Sequence, residues 1–224
     1  LTASTGLTFN VKLPGWDSHK EYNIQDGCAM DRVVFLDRDG TLNEEVHYLH
    51  RTSDLKLLPG VPEALRMLKE AGYRLVVVTN QAGVARGYYG EEDVKSLHIY
   101  MNHILECRGA SIDAFYYCPH HPEHGIGPYK KECSCRKPGT GMFEEAAQRF
   151  EVDKPHSFMI GDKLLDVEAG NNYGLTTILV GTGYGSGIRS QEEKEGIPPV
   201  YDFYAEDLVK AAQWIIEKGQ ADVR

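Results

Sequence analysis

Val33-Val34-Phe35-Leu36 is apolar at every position, leaving no polar residue for either face of a strand. A strand of that kind has to be covered on both sides, and a sheet meets the requirement when helices lie over both of its faces. The signal returns at Leu75-Val76-Val77-Val78-Thr79 and, more weakly, at 114–117, 157–160 and 177–180. Between these runs the apolar spacing becomes helical. Val61, Ala64, Leu65, Leu68 and Ala71 recur at i, i+3/4, i+7, with Pro62 near the start and Gly72 just past the end. Val94, Leu97, Met101, Ile104 and Leu105 form a second stripe. Met142, Phe143, Ala146, Ala147 and Phe150 form a third, and Leu208, Ala211, Ala212, Ile215 and Ile216 a last one. A further short helix is expected after Gly161. Alternating strands and helices imply right-handed βαβ units. The expected fold is a three-layer, Rossmann-like α/β domain with a mostly parallel sheet, spanning residues 30–224. The connection over 42–60 and the one between the second helix and third strand are too short for a separate cap, so the domain is expected to be capless.

In such sheets ligands bind beyond the carboxyl ends of the strands. The notable polar residues fall there: Asp37 and Asp39 after the first run, Thr79 and Asn80 after the second, Gly161 and Asp162 after the fourth. In an extended segment positions 37 and 39 face the same side. Two unneutralised carboxylates 4 Å apart repel by about 4 kcal/mol at an effective dielectric near 20. A hard divalent cation relieves that repulsion, and oxygen ligands without nearby His or Cys point to Mg2+ held by Asp37, Asp39 and Asp162. A pair of aspartates capping a turn is the plain alternative, and the later motifs weigh against it.

The chain has five cysteines. C-P-H at 118–120 and C-S-C at 133–135 make a C-x-H-x12-C-x-C pattern. Three thiolates and an imidazole in two close pairs suit a tetrahedral structural Zn2+ bound by Cys118, His120, Cys133 and Cys135, with His121 or His124 as substitutes for His120. A metal-binding loop rather than disulfides fits a reducing compartment, and a cytoplasmic location is expected. Bulk charge is -9, which does not attract nucleic acid or anionic membrane. No apolar stretch approaches the ~18 residues of a membrane span. Residues 1–29 lack an apolar signal core and are expected to be a leader or appendage, flexible or non-native, with Met30 as a natural start; an ordered extra hairpin is the alternative. Residues 184–199 read as a solvated loop. Cys107 reads as a small core residue. His98 and His103 read as solvated or partly packed, and Tyr88-Tyr89 and Tyr116-Tyr117 as packing residues.

The motifs FLDRDGTLN at 35–43, TNQAGVARG at 79–87, CRKP at 135–138 and GDKLLD at 161–166 run in an order that resembles the haloacid dehalogenase-type phosphotransferases. The resemblance covers 31 to about 185. It implies that Asp37 is phosphorylated during turnover and that Asp39 is the general acid and base, a role that calls for a pKa above the free value of ~3.9. It further implies that Thr79 and Lys137 hold the phosphate oxygens, and that the main-chain carbonyl of Asp39 joins Asp37 and Asp162 on Mg2+. Asp166 would orient Lys163 or water. Within the group the pattern is most similar to capless, zinc-loop phosphatases of a small seven-carbon sugar bisphosphate, placed in surface-polysaccharide precursor synthesis. That likeness implies substrate contacts from Arg38, Glu45, Val46, His47, Tyr48, Asn80, Gln81, Ala82, Arg86, Arg136 and Lys163, in a monomer without nucleic-acid or membrane partners. Ala82 departs from the more usual serine, and Glu44-Glu45-Val46-His47 is a loose match, so sugar and anomer preference stay open. Histidinol-phosphate phosphatases are the alternative; polynucleotide 3′-phosphatases share T-N-Q-x-G but lack the zinc loop. A catalytically silent binding protein of the same fold is the reading from a different class.

Overall fold

The computed structural model describes residues 30–221, so the expected leader over 1–29 lies outside the described residues. Six strands form one sheet in the order β3-β2-β1-β4-β5-β6, every neighbouring pair parallel. They are β1 Val33–Leu36, β2 Arg74–Asn80, β3 Ala114–Cys118, β4 Phe158–Gly161, β5 Thr176–Val180 and β6 Phe203–Ala205. The helices are α1 Val61–Glu70, α2 Ala82–Ala85, α3 Glu91–Glu106, α4 Gly141–Ala146, α5 Leu164–Tyr173, α6 Gly185–Glu195 and α7 Leu208–Ala221.

All four residues of β1 are fully buried, because side chains alternate between two cores. Val34 and Leu36 pack with Val61, Leu65 and Leu68 of α1, Met101 and Leu105 of α3, and Leu208 and Ile215 of α7. Val33 and Phe35 face the other way, toward Met142, Phe143 and Ala146 of α4 and Ala169 and Tyr173 of α5. Phe35, Phe143 and Tyr173 stack or meet edge-on with centroids 4.9–6.3 Å apart. Each such fully buried side chain contributes about 1.5–3 kcal/mol of transfer free energy.

Two expectations change, and one strand is new. The third apolar stripe stays helical only to Ala146, and residues 147–150 turn away so that Phe150 caps the core. Residues 184–199 are not a solvated loop: α6 occupies 185–195, and its Glu192 is buried with an oxygen 2.6 Å from the Tyr201 hydroxyl. The edge strand β6, Phe-Tyr-Ala, is too short to stand out in sequence. Among the described residues nothing forms a cap domain; the 42–60 connection carries only a short 3-10 turn at Thr52–Asp54 and two isolated bridges.

The strand order reverses direction between β1 and β4, and the chain leaves these two neighbours for opposite sides of the sheet. A crevice opens there at the carboxyl ends.

Candidate active site

Asp37 follows β1 directly, its N–H bonded to the Ile160 carbonyl of β4 at 2.9 Å. Asp162 follows β4. Asp166 lies one helical turn further, in the first turn of α5, where its Oδ2 accepts the Lys163 N–H at 3.1 Å. One carboxylate oxygen from each of Asp37, Asp162 and Asp166 lies within 4.8 Å of the others, and all three residues are buried. The Lys137 ammonium, 1% exposed, stands 2.8 Å from Asp37 Oδ1, 2.6 Å from Asp166 Oδ1 and 2.8 Å from the Val78 carbonyl. Burial alone would lower the Lys137 pKa, but Asp166 and Asp37 outweigh it and hold the ammonium charged. Burial pushes the Asp166 carboxyl up to about 6 against the pull of Lys137. So Asp166 holds the Lys137 ammonium; of its two expected roles, orienting Lys163 or water, the first does not extend to the Lys163 ammonium, which pairs with Glu45 at 3.0 Å.

Asp162 is wholly enclosed. Its Oδ2 accepts the Tyr184 N–H at 3.0 Å. Its Oδ1 is buried and accepts no hydrogen bond from any described residue, with the Lys163 ammonium 3.9 Å away. Burial pushes this carboxyl up to about 7, opposed by Lys163 and reinforced by Asp37. An orphaned carboxylate oxygen beside two further carboxylates is a donor set that fits a hard divalent cation. Gly40 (φ +82°) and Gly183 (φ +55°) make room for it, because a Cβ on either would collide with Asp162 Oδ2. The Thr182 hydroxyl donates to the Gly40 carbonyl at 2.6 Å, joining the β5 loop to the β1 loop across that carboxylate.

Asp39 is held differently from expectation. The Arg38 guanidinium donates to Asp39 Oδ1 at 3.1 and 3.2 Å and to Oδ2 at 2.8 Å; Asn43 and Gln81 add bonds of 2.9 and 3.2 Å. Burial would raise its pKa, but the Arg38 charge and these bonds override it and leave the carboxyl below its usual value. The expected upward shift is therefore corrected: these partners all donate, and donors stabilise the ionised form. Arg38 itself is 0% exposed and cannot touch a substrate. Its Nη1 meets His98 Nε2 at 3.2 Å, and its Nη2 also reaches Gln81 Oε1 at 3.1 Å. His98, expected to be solvated or partly packed, is buried and stacked on Phe115 at 4.6 Å. Burial, then the Arg38 charge, brings its pKa down to about 3, so the imidazole is neutral.

A cavity of about 230 Å³ opens over this floor, lined by Asp37, Asp39, Thr79, Lys137 and Asp166, with Glu45, His47, Tyr48, Asn80, Gln81, Ala82 and Lys163 around it. His47 and Tyr48 hold left-handed φ of 44° and 59°, which for non-glycine residues is strained backbone in a loop facing the cavity. The Asn80 side chain lines the cavity but is committed to Lys137, donating to its carbonyl at 3.1 Å and accepting its N–H at 3.0 Å. Val46 and Arg86 do not line the cavity; Arg86 lies over the Tyr48 ring at 5.9 Å. Arg136 lies in an adjoining cavity of about 420 Å³ that shares Lys137 and Leu165 with the first. Sequence reading missed Leu165, an ordinary apolar residue of α5, and took Tyr89 for packing. Tyr89 does pack, but its hydroxyl also donates to Gln81 at 2.9 Å at the cavity wall.

Cys118, His120, Cys133 and Cys135 converge with all four ligand atoms within 4.8 Å. The sulfur atoms lie 3.2–3.5 Å apart, far beyond the ~2.05 Å of a disulfide. Thiols and an imidazole at this spacing fit a tetrahedral soft-ligand metal site. The ring of His121 points elsewhere, its Nδ1 accepting the N–H groups of Glu123 and His124. The loop is also tied to α3, since Tyr117 and Tyr129 both donate to Glu91 at 2.7 Å. Cys107 is exposed rather than a core residue, because it terminates α3 on the solvent side.

A family model for polynucleotide kinase 3 phosphatase matches residues 32–172, and one for haloacid dehalogenase-like hydrolases matches residues 134–211. The chain is 45% identical over 166 residues to D-glycero-beta-D-manno-heptose-1,7-bisphosphate 7-phosphatase of Haemophilus ducreyi, covering 73% of this chain and 90% of that protein. It is 42% identical over 187 residues to D-glycero-D-manno-heptose-1,7-bisphosphate 7-phosphatase of Thermosynechococcus vestitus, covering 82% and 94%. Among solved structures, D,D-heptose 1,7-bisphosphate phosphatase from B. bronchiseptica, complexed with magnesium and phosphate, superposes with a TM-score of 0.71. That match has 32% identity and covers 84% of this chain and 99% of the other.

Proposed function

This chain belongs to the haloacid dehalogenase-type phosphatases, and from that premise we propose that it removes the 7-phosphate of D-glycero-D-manno-heptose 1,7-bisphosphate. The reaction runs as two displacements. An oxygen of Asp37 attacks phosphorus, the bond from phosphorus to the sugar oxygen breaks, and that oxygen takes a proton from Asp39. Water then attacks the aspartyl-phosphate and gives its proton to Asp39, which releases inorganic phosphate and restores both carboxyls. The incoming phosphate brings negative charge beside Asp39, which favours the protonated form needed for the first step.

Lys137, fixed by Asp166, and the Thr79 hydroxyl hold the non-bridging oxygens. Glu45, His47, Tyr48, Gln81 and Ala82 border the sugar, and Lys163 and Arg136 supply cations toward its phosphates. Asp37 and Asp162, with the main-chain carbonyl of Asp39, would hold Mg2+, which when bound cancels charge between nucleophile and ester. Cys118, His120, Cys133 and Cys135 would hold a structural Zn2+. No helix among the described residues is long and apolar enough to cross a membrane. A polar sugar substrate and free thiols fit a cytoplasmic location.

The observation that carries this reading is the buried cluster of Asp37, Asp162 and Asp166 at the crevice of the sheet, with the Lys137 ammonium on Asp37 and Asp166. The test is phosphate release, with Mg2+, from heptose 1,7-bisphosphate, histidinol phosphate and a 3′-phosphorylated oligodeoxynucleotide. The sugar ester should lead by at least about tenfold in kcat/KM, a difference of ~1.4 kcal/mol in transition-state stabilisation. Preference for either of the others overturns the substrate and leaves the two-step chemistry in place.

A further inference from the structure

Behind the cavity floor lies a buried polar chain that the reaction scheme leaves without a task. His98 projects inward from α3 and is held flat against Phe115 and edge-on to Tyr117, with centroids 4.6 and 5.9 Å away. Its Nε2 faces Arg38 Nη1 at 3.2 Å. An arginine only donates, so His98 Nε2 is the acceptor and the ring proton is on Nδ1. The far side of the same guanidinium grips both oxygens of Asp39 and reaches Gln81 Oε1. Gln81 is 2% exposed; its Nε2 donates to Asp39 Oδ2 at 3.2 Å and to the Thr79 hydroxyl at 2.9 Å.

We infer that His98 is a positioning residue for the reaction: it acts through Arg38 to fix the Asp39 carboxyl at the angle from which the proton is passed. The inference rests on the two-step phosphatase reading above. Three features carry it. The chain of contacts is closed, since every side chain in it is buried or nearly so and faces a partner of opposite hydrogen-bonding sense. The carboxylate it grips, Asp39, opens to the cavity with its side chain 16% exposed. And Arg38, wholly buried and absent from the cavity lining, can position only the groups it holds. Without the His98 acceptor, Nη1 loses its partner and the guanidinium can turn in its pocket. A buried donor left unpaired drives that rearrangement.

The test uses two esters. A sugar oxygen needs a proton from Asp39 to leave, whereas the phenol of p-nitrophenyl phosphate leaves without one. The ratio kcat/KM reports the steps up to formation of the aspartyl-phosphate. In His98→Phe, which keeps the stacked ring and removes the acceptor, kcat/KM for the sugar bisphosphate should fall by about tenfold or more, as expected when a catalytic group is misplaced by a fraction of an ångström. For p-nitrophenyl phosphate it should stay within about threefold, and acid quenching should trap phosphorylated enzyme, because the second step still needs Asp39 as base. His98→Gln, which offers a carbonyl acceptor, should recover most of the sugar activity. Equal losses for both esters, or no loss for either, would overturn the inference. Should His98→Phe not fold, the same comparison on His98→Gln and His98→Asn decides it, and unchanged ester discrimination in both counts against it. Failure of the wild-type enzyme to release phosphate from either ester would instead sink the phosphatase reading itself.

Discussion

Lys137 shows how much one side chain can carry. Its ammonium is surrounded by Asp37, Asp166 and a strand carbonyl, with almost no contact with solvent. A buried pair of this kind adds little net stability when intact, because desolvation offsets attraction, but removing one partner strands a charge. Lys137→Met should therefore cost about 3–5 kcal/mol in urea denaturation at neutral pH as well as abolish turnover. Acidification should soften that loss, since Asp166, already up at about 6, can take a proton. His98 gives a residue-scale effect of opposite kind. Its folded pKa of about 3 lies below the unfolded value near 6.5, so between those values the unfolded chain binds the extra proton. Stability should fall as pH drops through that window, by about 1.4 kcal/mol per unit from this group. The slope of stability against pH between 6 and 4 should be shallower by that amount in His98→Gln. An unchanged slope would mean that the imidazole charges inside the fold.

At the scale of elements, the Cys/His loop differs from the helices that flank it. Residues 119–134 contain no long helix and only a 3-10 turn at Gly127–Tyr129, so they bury little apolar surface of their own. They are pinned at both ends by the Cys/His cluster, and in between by Tyr129 on Glu91 and by the Ile126 N–H on the Ala85 carbonyl at 2.8 Å. The same loop runs directly into Arg136 and Lys137. Cys133→Ala with Cys135→Ala should leave far-UV circular dichroism close to that of the parent while raising KM by roughly tenfold, about 1.4 kcal/mol of lost binding. Metal content measured by atomic absorption should drop from one zinc per chain to none. Parent-like KM in the zinc-free variant would refute the idea that this loop sets the cations over the site. The sheet is expected to survive, because both of its faces are covered by cores that do not need the loop.

The whole molecule decides where Asp162 can exist. Its carboxylate sits where loops after β1, β4 and β5 converge, between Gly40 and Gly183, an approach so close that neither glycine can carry a Cβ. Gly183→Ala should raise the Mg2+ concentration for half-maximal activity by about tenfold or more, since the collision falls on Oδ2 and so turns the Asp162 carboxylate, whose free Oδ1 would face the ion, while leaving the nucleophile in place. Calorimetric titration of Mg2+ should show the same shift; equal affinities in the two proteins would show that the loop yields.

Much of this was already written in the chain. Short apolar runs rich in β-branched residues, alternating with helical stripes, read as strands covered on both faces, so β1, β2 and the parallel layering followed from patterning. Their strand-end positions put Asp37 and Asp162 at the common crevice, and the C-x-H-x12-C-x-C spacing grouped Cys118, His120, Cys133 and Cys135; Lys137, in a loop, is reached only through the family resemblance. What patterning could not reach is which neighbour each polar group meets. Arg38 reads in sequence like a substrate ligand and lies wholly buried; Asp39 reads like a raised-pKa acid and is held low by that same arginine. α6 and β6 carry too little periodicity to announce themselves, and they form where the rest of the sheet offers an edge and a groove. Periodicity is a property of one segment, whereas burial and pKa belong to the contact between segments distant in the chain, and those contacts exist only once the whole sheet has closed.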